Sequence, residues 1–229
     1  MSPATRGKRW TGPECSPNLE RMDLYYGRWS GNSARAAFGL AEAGASFQPH
    51  FIDTRGGENR KPEYLSVNPM GKVPAFVDGK LRLWESNAIN WYVAEKLKAR
   101  TLPTSLEGRA SVQRWLFFQS AHVTPACISV FRGTHPRMQA FWQMKADSQI
   151  VEAGRKELAR YFPVLESGLA NGDWLEGDFS LADIAYAPHL SLVAEGGFDF
   201  SPYPRVKAWL DRMLARPAWK KTAAMIFVS

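Results

Sequence analysis

Three polar side chains suited to holding an anion lie together in the segment WSGNSAR, residues 29–35. Ser30 comes just before a run of apolar residues at helical spacing, and Asn32 and Ser33 fall at its start. A hydroxyl or amide donor at the start of a helix stabilises negative charge, because the amino-terminal end of the helix dipole is positive. The same residue types also serve as ordinary helix caps. The segment is therefore a candidate anion site, with Ser33 predicted as a cap.

A second segment, YLSVNPMGKVPAFVDGKLRLWESNAI, combines turns, two strands and a helix start in residues 64–89. Its Asn-Pro dipeptide predicts a turn, since a residue before proline is disfavoured in the helical conformation. Val73 and Pro74 precede a strand that can hold this proline only at an edge or in a bend. An Asp-Gly dipeptide predicts a two-residue hairpin turn, and Glu85 and Ser86 end the second strand and open a helix.

The elements around these segments predict two halves of different class. Residues 22–98 give the order β-α-β-α-β-β-α, which predicts a small α/β domain. Residues 99–107, which include a proline, are predicted as a linker. From 108 to 229 apolar residues recur at three- and four-residue steps, which predicts an all-helical domain. Ser180 and Asp183 have the spacing of a capping box, and losing both is expected to lower stability by about 1–3 kcal/mol.

Composition and charge argue against several classes of protein. No apolar run approaches the roughly 18 residues that cross a bilayer, so no membrane association is expected. The formal net charge is +7, but the basic residues are scattered among acidic ones, which favours anionic small molecules over nucleic acid. Cys15 and Cys127 are far apart and lack metal-ligand spacing, so neither a disulfide nor a metal site is predicted. Residues 1–21 are predicted as a flexible extension.

The second segment resembles the glutathione-binding half of the cytosolic glutathione S-transferases, through its x-Val-Pro-x turn, its hairpin and its Glu-Ser-x-Ala-Ile helix start. The element order resembles the thioredoxin-like domain of that family, and Ser180 and Asp183 resemble the capping box of its helical domain. The resemblance implies a thioredoxin-like α/β domain followed by an all-α domain. It also implies glutathione as co-substrate, a cytoplasmic location and a homodimer.

The first segment resembles the serine-type classes of the family (theta, phi and zeta, or a related bacterial class), in which a serine precedes the first helix and an arginine follows five residues on. The resemblance implies that Ser30 activates the thiol, with Asn32 as a second donor. Lowering a thiol pKa near 8.5 by about two units takes roughly 2.7 kcal/mol of preferential thiolate stabilisation. Tyr25 and Tyr26 are alternative hydroxyls, although both fall in a strand pattern that predicts core packing.

The resemblance also implies contacts along the glutathione molecule. Ser86 would bind the γ-glutamyl carboxylate at its helix start, and Glu85 would meet the amine beside it. Val73, before a Pro74 that the resemblance implies is cis, would offer its main chain to the cysteinyl peptide. Lys72 would bind the glycyl or the γ-glutamyl carboxylate. Together these residues form a predicted clamp that presents the thiol to the serine loop.

Two positions depart from patterns seen within the family. Where the theta and phi pattern has a histidine after Gly-Glu, this chain has Asn59. Asn59 or Lys61 is therefore predicted to take the glycyl contact. The position of the beta-class cysteine is Gly31 here, which argues against mixed-disulfide chemistry.

The function expected from the resemblance is attack of the glutathione thiolate on a small, apolar electrophile. Two alternatives stay open: a glutathione-dependent peroxidase or disulfide reductase that uses the same thiolate, and a non-catalytic transferase-like binding module. The electrophile is expected between the two halves, near Trp29, Trp115, Phe118, His122 and Arg132.

Overall fold

The computed structural model describes residues 22–228, so the predicted extension, residues 1–21, and Ser229 lie outside the described residues. The strands are β1 (Met22–Tyr26), β2 (Phe47–Phe51), β3 (Ala75–Asp78) and β4 (Leu81–Trp84). The helices among them are α1 (Gly31–Glu42), α2 (Pro62–Leu65) and α3 (Ser86–Lys96), with a single 3₁₀ turn at Glu58–Arg60. The element order predicted for this half is therefore confirmed.

The strands form one mixed sheet in the order β2-β1-β3-β4. β1 runs parallel to β2, which the connection through α1 allows, and antiparallel to β3. β3 and β4 form the predicted hairpin, in which Gly79 has a φ of +57° that suits its turn. Helices α1 and α3 cover one face of the sheet, and α2 covers the other. This is the predicted thioredoxin-like arrangement.

The second half is helical, as predicted. Its helices are α4 (Leu106–Phe118), α5 (Thr124–Thr134), α6 (Pro136–Trp142), α7 (Ser148–Gly168), α8 (Leu181–Ile184), α9 (Ala187–Glu195), α10 (Pro204–Ala215) and α11 (Pro217–Ile226). A π-helical turn, Gln119–Val123, joins α4 to α5 without a break in the backbone.

Helix α1 lies at the junction of the two halves. Ala36 and Leu40 belong to the core between α1, α3 and the sheet. Ala34 and Phe38, on another face of the same helix, belong to the core of the helical half. Because both cores hold α1, the position of its first turn is fixed from two sides. That first turn carries the candidate anion site.

The predicted capping box is present at the start of α8. The Ser180 hydroxyl accepts from the Ala182 amide at 3.2 Å, and Asp183 accepts from the Ser180 amide at 2.8 Å. Asp183 is fully buried and also accepts from the Leu175 amide at 3.0 Å and the Trp209 indole at 2.9 Å. Burial raises the pKa of Asp183 to about 6, while these donors act to lower it. The carboxylate thus ties three segments of the helical half together.

Three further features bear on the predicted chemistry. Cys127 is fully buried on α5, and burial raises the pKa of its thiol, so this cysteine is not a reactive thiolate. Within residues 22–228, no helix is both long enough and apolar enough to span a membrane. The described part of the chain also contains no cluster of three or more His, Cys, Asp or Glu residues placed to hold a metal ion.

Candidate active site

Ser30 caps helix α1. Its backbone is extended, with φ −108° and ψ 108°, and its Oγ accepts from the Ser33 amide at 3.2 Å. An oxygen that accepts this bond keeps its own hydrogen, so the Ser30 hydroxyl can still donate to an anion. The capping role and the thiol-activating role are therefore compatible at this one residue.

Ser33 has a different role from the predicted one. The prediction of Ser33 as the cap is wrong, because the cap lies three residues earlier, at Ser30. The buried Ser33 hydroxyl instead accepts from the Gly27 amide at 3.1 Å and closes the loop between β1 and α1. A Cβ at Gly27 would lie 2.8 Å from Cγ2 of Val73, so the loop packs directly against the residue before Pro74.

Arg35, the arginine of the serine-loop motif, lies at the centre of the site's hydrogen bonds. It is 4% exposed, and its guanidinium makes five hydrogen bonds. Nη1 donates to Asn32 Oδ1 at 2.8 Å and to Ser86 Oγ at 2.9 Å. Nε donates to the carbonyl of Ala185 at 2.8 Å. Two of the predicted site residues are therefore held by one buried cation.

The remaining two bonds of this cation reach the helical half. Nη2 of Arg35 donates to Thr124 Oγ1 at 3.2 Å and lies 2.9 Å from His189 Nδ1. Burial lowers the pKa of Arg35 to about 10, so the guanidinium stays charged at neutral pH. Burial and the adjacent Arg35 charge hold the pKa of His189 well below its ordinary range. His189 is therefore neutral and accepts through Nδ1.

The segment predicted to clamp the cysteinyl peptide is held from behind by its neighbours. The Val73–Pro74 peptide bond is cis, as the resemblance implied. The carbonyl of Lys72 accepts from the Tyr64 hydroxyl and from Asn68 Nδ2, both at 2.6 Å, so buried side chains hold the main chain here. The side chain of Lys72 is exposed and can turn toward an anionic ligand.

The Glu85-Ser86 corner has a strained backbone. Glu85 has a φ of +69°, a region that residues other than glycine rarely adopt. Such strain concentrates at functional sites, where surrounding structure holds it. Glu85 is exposed, whereas Ser86, the first residue of α3, is buried against Arg35. The corner thus places a carboxylate and a hydroxyl side by side.

The two candidates for the glycyl contact differ in their surroundings. Asn59 already donates through Nδ2 to the carbonyl of Gly71 at 2.6 Å, and its Oδ1 is buried without a partner. Lys61 is exposed, with Nζ 4.0 Å from Glu58 Oε1. Asn59 therefore braces the loop before the clamp, and Lys61 is the exposed cation beside it.

Trp29 precedes Ser30 in a left-handed conformation, with φ +53°. Its amide donates to the carbonyl of Ile226 and its indole to that of Val228, both at 3.0 Å. The end of the chain therefore holds the loop that carries Ser30. This contact could not be predicted from the sequence, because the partners are about 200 residues apart.

A cavity of about 490 Å³ lies beside this loop. Its walls are Arg28, Phe51, Asp53, Arg55, Gly56 and Phe141. The Phe141 ring lies 6.3 Å from the Trp29 ring, between centroids, so the cavity borders the loop that carries Ser30.

The predicted walls of the electrophile site do not line this cavity. Trp115 packs close to Gly168, and Phe118 packs against His122 and Tyr161, on the side of α7. Of the predicted set, Trp29 lies beside Phe141 of the cavity wall. The aromatic walls of this cavity come from β2 and α6.

Two family models match the chain: the glutathione S-transferase N-terminal domain over residues 20–95 and the glutathione S-transferase C-terminal domain over residues 120–217. Glutathione S-transferase F10 of Arabidopsis thaliana is 34% identical over 201 residues, covering 84% of this chain and 92% of that protein. The glutathione S-transferase-like protein tpcF of Aspergillus fumigatus is 34% identical over 233 residues, covering 93% of this chain and 99% of that protein.

Solved structures agree with these relatives. Glutathione S-transferase-I bound with lactoylglutathione has a TM-score of 0.82 and 32% identity, covering 90% of this chain and 99% of that chain. Ure2p in complex with glutathione has a TM-score of 0.78 and 28% identity, covering 91% of this chain and 95% of that chain. Fold and site thus define a thioredoxin-like domain joined to an all-helical one, as predicted. The chain belongs to the glutathione S-transferase family, and the predicted enzyme class, glutathione transferase, is confirmed.

Proposed function

We propose that this chain is a serine-type glutathione transferase in which Ser30, assisted by Asn32, keeps the thiol of bound glutathione ionised. The observation that carries the proposal is that Ser30 Oγ accepts from the Ser33 amide and so keeps its hydrogen for an anion. The start of α1 adds the positive end of the helix dipole. The resulting thiolate attacks the electrophile, its sulfur forming the new bond as the leaving group departs. Similarity to the plant transferases favours the phi class.

The proposal seats glutathione along the clamp. Ser86 donates to the γ-glutamyl carboxylate, and the Glu85 carboxylate accepts from the amine beside it. The main chain at Val73 forms hydrogen bonds with the cysteinyl peptide. This order is supported by the packing of the Ser30 loop against Val73 and by the exposed carboxylate of Glu85. At the other end Lys61, with Lys72 and Asn59, meets the glycyl carboxylate.

Replacing Ser86 by alanine is expected to raise the KM for glutathione with little change in kcat. One hydrogen bond from a hydroxyl to a carboxylate contributes about 1.5–3 kcal/mol, which corresponds to a rise of about tenfold or more. The measurement is the KM for glutathione at saturating chlorodinitrobenzene. Ser66→Ala, an exposed serine after α2, is the control. A KM equal to that of wild type would remove Ser86 from the proposed site.

The second substrate is proposed to enter the cavity beside Trp29. Phe51 and Phe141 give it apolar walls, and a guanidinium lies 5.1 Å from the centroid of each ring, Arg28 over Phe51 and Arg55 over Phe141. These walls suit a largely apolar electrophile.

Phe141→Ala is expected to raise the KM for an apolar electrophile by about tenfold, since burying an aromatic side chain contributes about 1.5–3 kcal/mol. The KM for glutathione should stay within about twofold of wild type, because Phe141 lies outside the clamp. Steady-state rates with each substrate varied in turn test this. Phe117→Ala, an exposed phenylalanine on α4, controls for removing a ring elsewhere. If both KM values stay at wild type, the cavity is not the electrophile site.

The proposal keeps the domain limits predicted from the sequence, with a linker at residues 99–107 between a glutathione-binding domain and a helical domain. It also includes a homodimer in the cytoplasm.

The homodimer is supported by exposed apolar side chains at Met70, Trp84 and Phe117, which are 57%, 40% and 71% exposed. Size measurement in solution tests it, and a panel of hydroperoxides and disulfides tests the peroxidase and reductase alternatives.

A further inference from the structure

Arg35 is a buried cation bonded only to neutral groups. Its five partners are a carbonyl, an amide oxygen, two hydroxyls and an imidazole nitrogen, and within residues 22–228 none of its bonds goes to a carboxylate. A buried charge is costly unless it is paired, because the interior solvates it less well than water does. The fold therefore keeps a buried positive charge in hydrogen-bond contact with Asn32 and Ser86, two of the candidate site residues.

This cation determines which atoms of Asn32 and Ser86 accept hydrogen bonds and which are left to donate. A guanidinium has donors and no acceptor. Asn32 must therefore turn its oxygen toward Arg35, which leaves its amide nitrogen to donate in another direction. Ser86 Oγ is likewise occupied as an acceptor, so its hydrogen is left to donate. Because the same nitrogen, Nη1, bonds both residues, the thiol end and the γ-glutamyl end of the site are set together.

The helical half holds the guanidinium in this orientation. Thr124 Oγ1 at the start of α5 and His189 Nδ1 on α9 both accept from Nη2 of Arg35. The carbonyl of Ala185, after α8, accepts from Nε. His189 is itself fixed, because a Cβ at Gly31 would lie 2.8 Å from two of its ring atoms. Gly31 lets the imidazole lie under the first turn of α1.

Other ionisable groups that act on Arg35 do not neutralise it. The Coulomb interactions of Arg35 are with Cys127, Glu85 and Tyr186. Burial raises the pKa of both Cys127 and Tyr186, so these two are uncharged at neutral pH. Glu85 is the acid of the set, and its side chain is exposed. Nothing buried among these groups offsets the guanidinium charge.

We propose that Arg35 is the positioning residue of this site: it orients Asn32 and Ser86 as donors toward glutathione and supplies the positive charge that the bound anion compensates. His189 is the neutral acceptor that holds Arg35 in place. The inference rests on the proposed function, because it concerns how that site recognises the thiolate and the carboxylate.

The sharpest test compares Asn32→Asp with Asn32→Ala. Aspartate places a carboxylate where the amide oxygen now accepts from Arg35, so the melting temperature should rise above that of Asn32→Ala. The same carboxylate removes a donor and adds a negative charge near the thiol. We therefore expect the pKa of bound glutathione to rise further than in Asn32→Ala, with kcat/KM at neutral pH about tenfold lower for each unit. Ultraviolet absorbance of the thiolate, followed against pH, measures this pKa.

Equal melting temperatures in the two variants, or equal thiol pKa values, would overturn the proposal. A wild-type protein that leaves the thiol pKa of glutathione at its solution value would instead reject the proposed function, so the two failures are distinguishable.

A second pair of variants tests His189. His189→Leu removes the acceptor, and the pKa of bound glutathione should rise. His189→Asn keeps an oxygen near the position of Nδ1, so the thiol pKa of bound glutathione should return most of the way to its wild-type value. A packing defect alone would not produce this recovery. Indistinguishable thiol pKa values in His189→Leu and wild type would show that His189 does not hold Arg35 for this purpose.

Discussion

Ser30→Ala is expected to lower kcat/KM for glutathione conjugation at neutral pH by about ten- to a hundredfold. A hydrogen bond to a charged partner contributes about 1.5–3 kcal/mol, and each 1.36 kcal/mol corresponds to one pKa unit of the thiol. The variant should regain rate as pH rises, because the bound thiol then ionises without help. A residual rate is expected from the helix dipole and from Asn32.

The experiment must separate thiol activation from capping, because Ser30 does both. Ser105→Ala is a matched control: Ser105 caps α4 through the same type of bond, its Oγ accepting from the Gly108 amide at 3.1 Å. Both variants should lose roughly 1 kcal/mol of stability through the lost cap. Only Ser30→Ala should lose activity with chlorodinitrobenzene and show a pH profile displaced upward.

Full activity in Ser30→Ala would move the assignment to Asn32 or to a tyrosine of β1. Of the two tyrosines, Tyr25 is buried and stacks on His50, with 4.8 Å between ring centroids. Tyr26 is half-buried, and burial raises the pKa of its hydroxyl. The surroundings of Tyr26 therefore do not favour ionisation of its phenol.

The parts of the site that were predictable from the sequence rest on local chemistry. The hairpin at Gly79, the turn at Val73 and the corner at Ser86 each follow from residues within a few positions of one another. Local spacing could not decide between Ser30 and Ser33 as the cap of α1, since both precede suitable amides. In the structure the Gly27 amide donates to the Ser33 hydroxyl, and Ser30 is the residue that caps α1.

The surroundings of Arg35 could not be predicted in the same way. Its partners Thr124 and His189 are 89 and 154 residues away in sequence, and nothing local marks either one as a neighbour. Besides the serine-loop motif, the available signal was an arginine at the start of the apolar stretch 36–41, where a buried charge requires partners.

The walls predicted for the electrophile site differ from those of the cavity beside Trp29. The prediction took Trp115, Phe118 and His122 from the first long helix of the helical half. These three side chains do lie together, with ring centroids 6.1 Å apart for Trp115 and Phe118 and 5.6 Å apart for Phe118 and His122. Helical spacing groups such residues but does not say which neighbour they face, and here Phe118 packs against Tyr161 of α7. Phe141 lies on a seven-residue helix, too short for its own pattern to indicate a direction.

Asp183→Ala is expected to cause the largest loss of stability, about 3–5 kcal/mol. The sequence suggested about 1–3 kcal/mol for the whole capping box, on the usual cost of a lost cap. The structure raises this expectation because the Leu175 amide and the Trp209 indole also depend on this carboxylate. Removing it leaves these buried donors unpaired, which costs about 1–3 kcal/mol for each group.

Thermal unfolding of Asp183→Ala and Asp147→Ala measures the difference. Asp147 caps α7 by accepting from the Gln149 and Ile150 amides, but it is exposed, so its loss should cost roughly 1 kcal/mol. The folded pKa of Asp183, about 6, exceeds its ordinary value of 3.8. The folded protein therefore holds this proton more tightly than the unfolded chain, and wild type gains stability relative to Asp183→Ala as pH falls from 7 toward 5. Equal losses in the two variants at pH 7 would mean that the Leu175 and Trp209 donors find other partners.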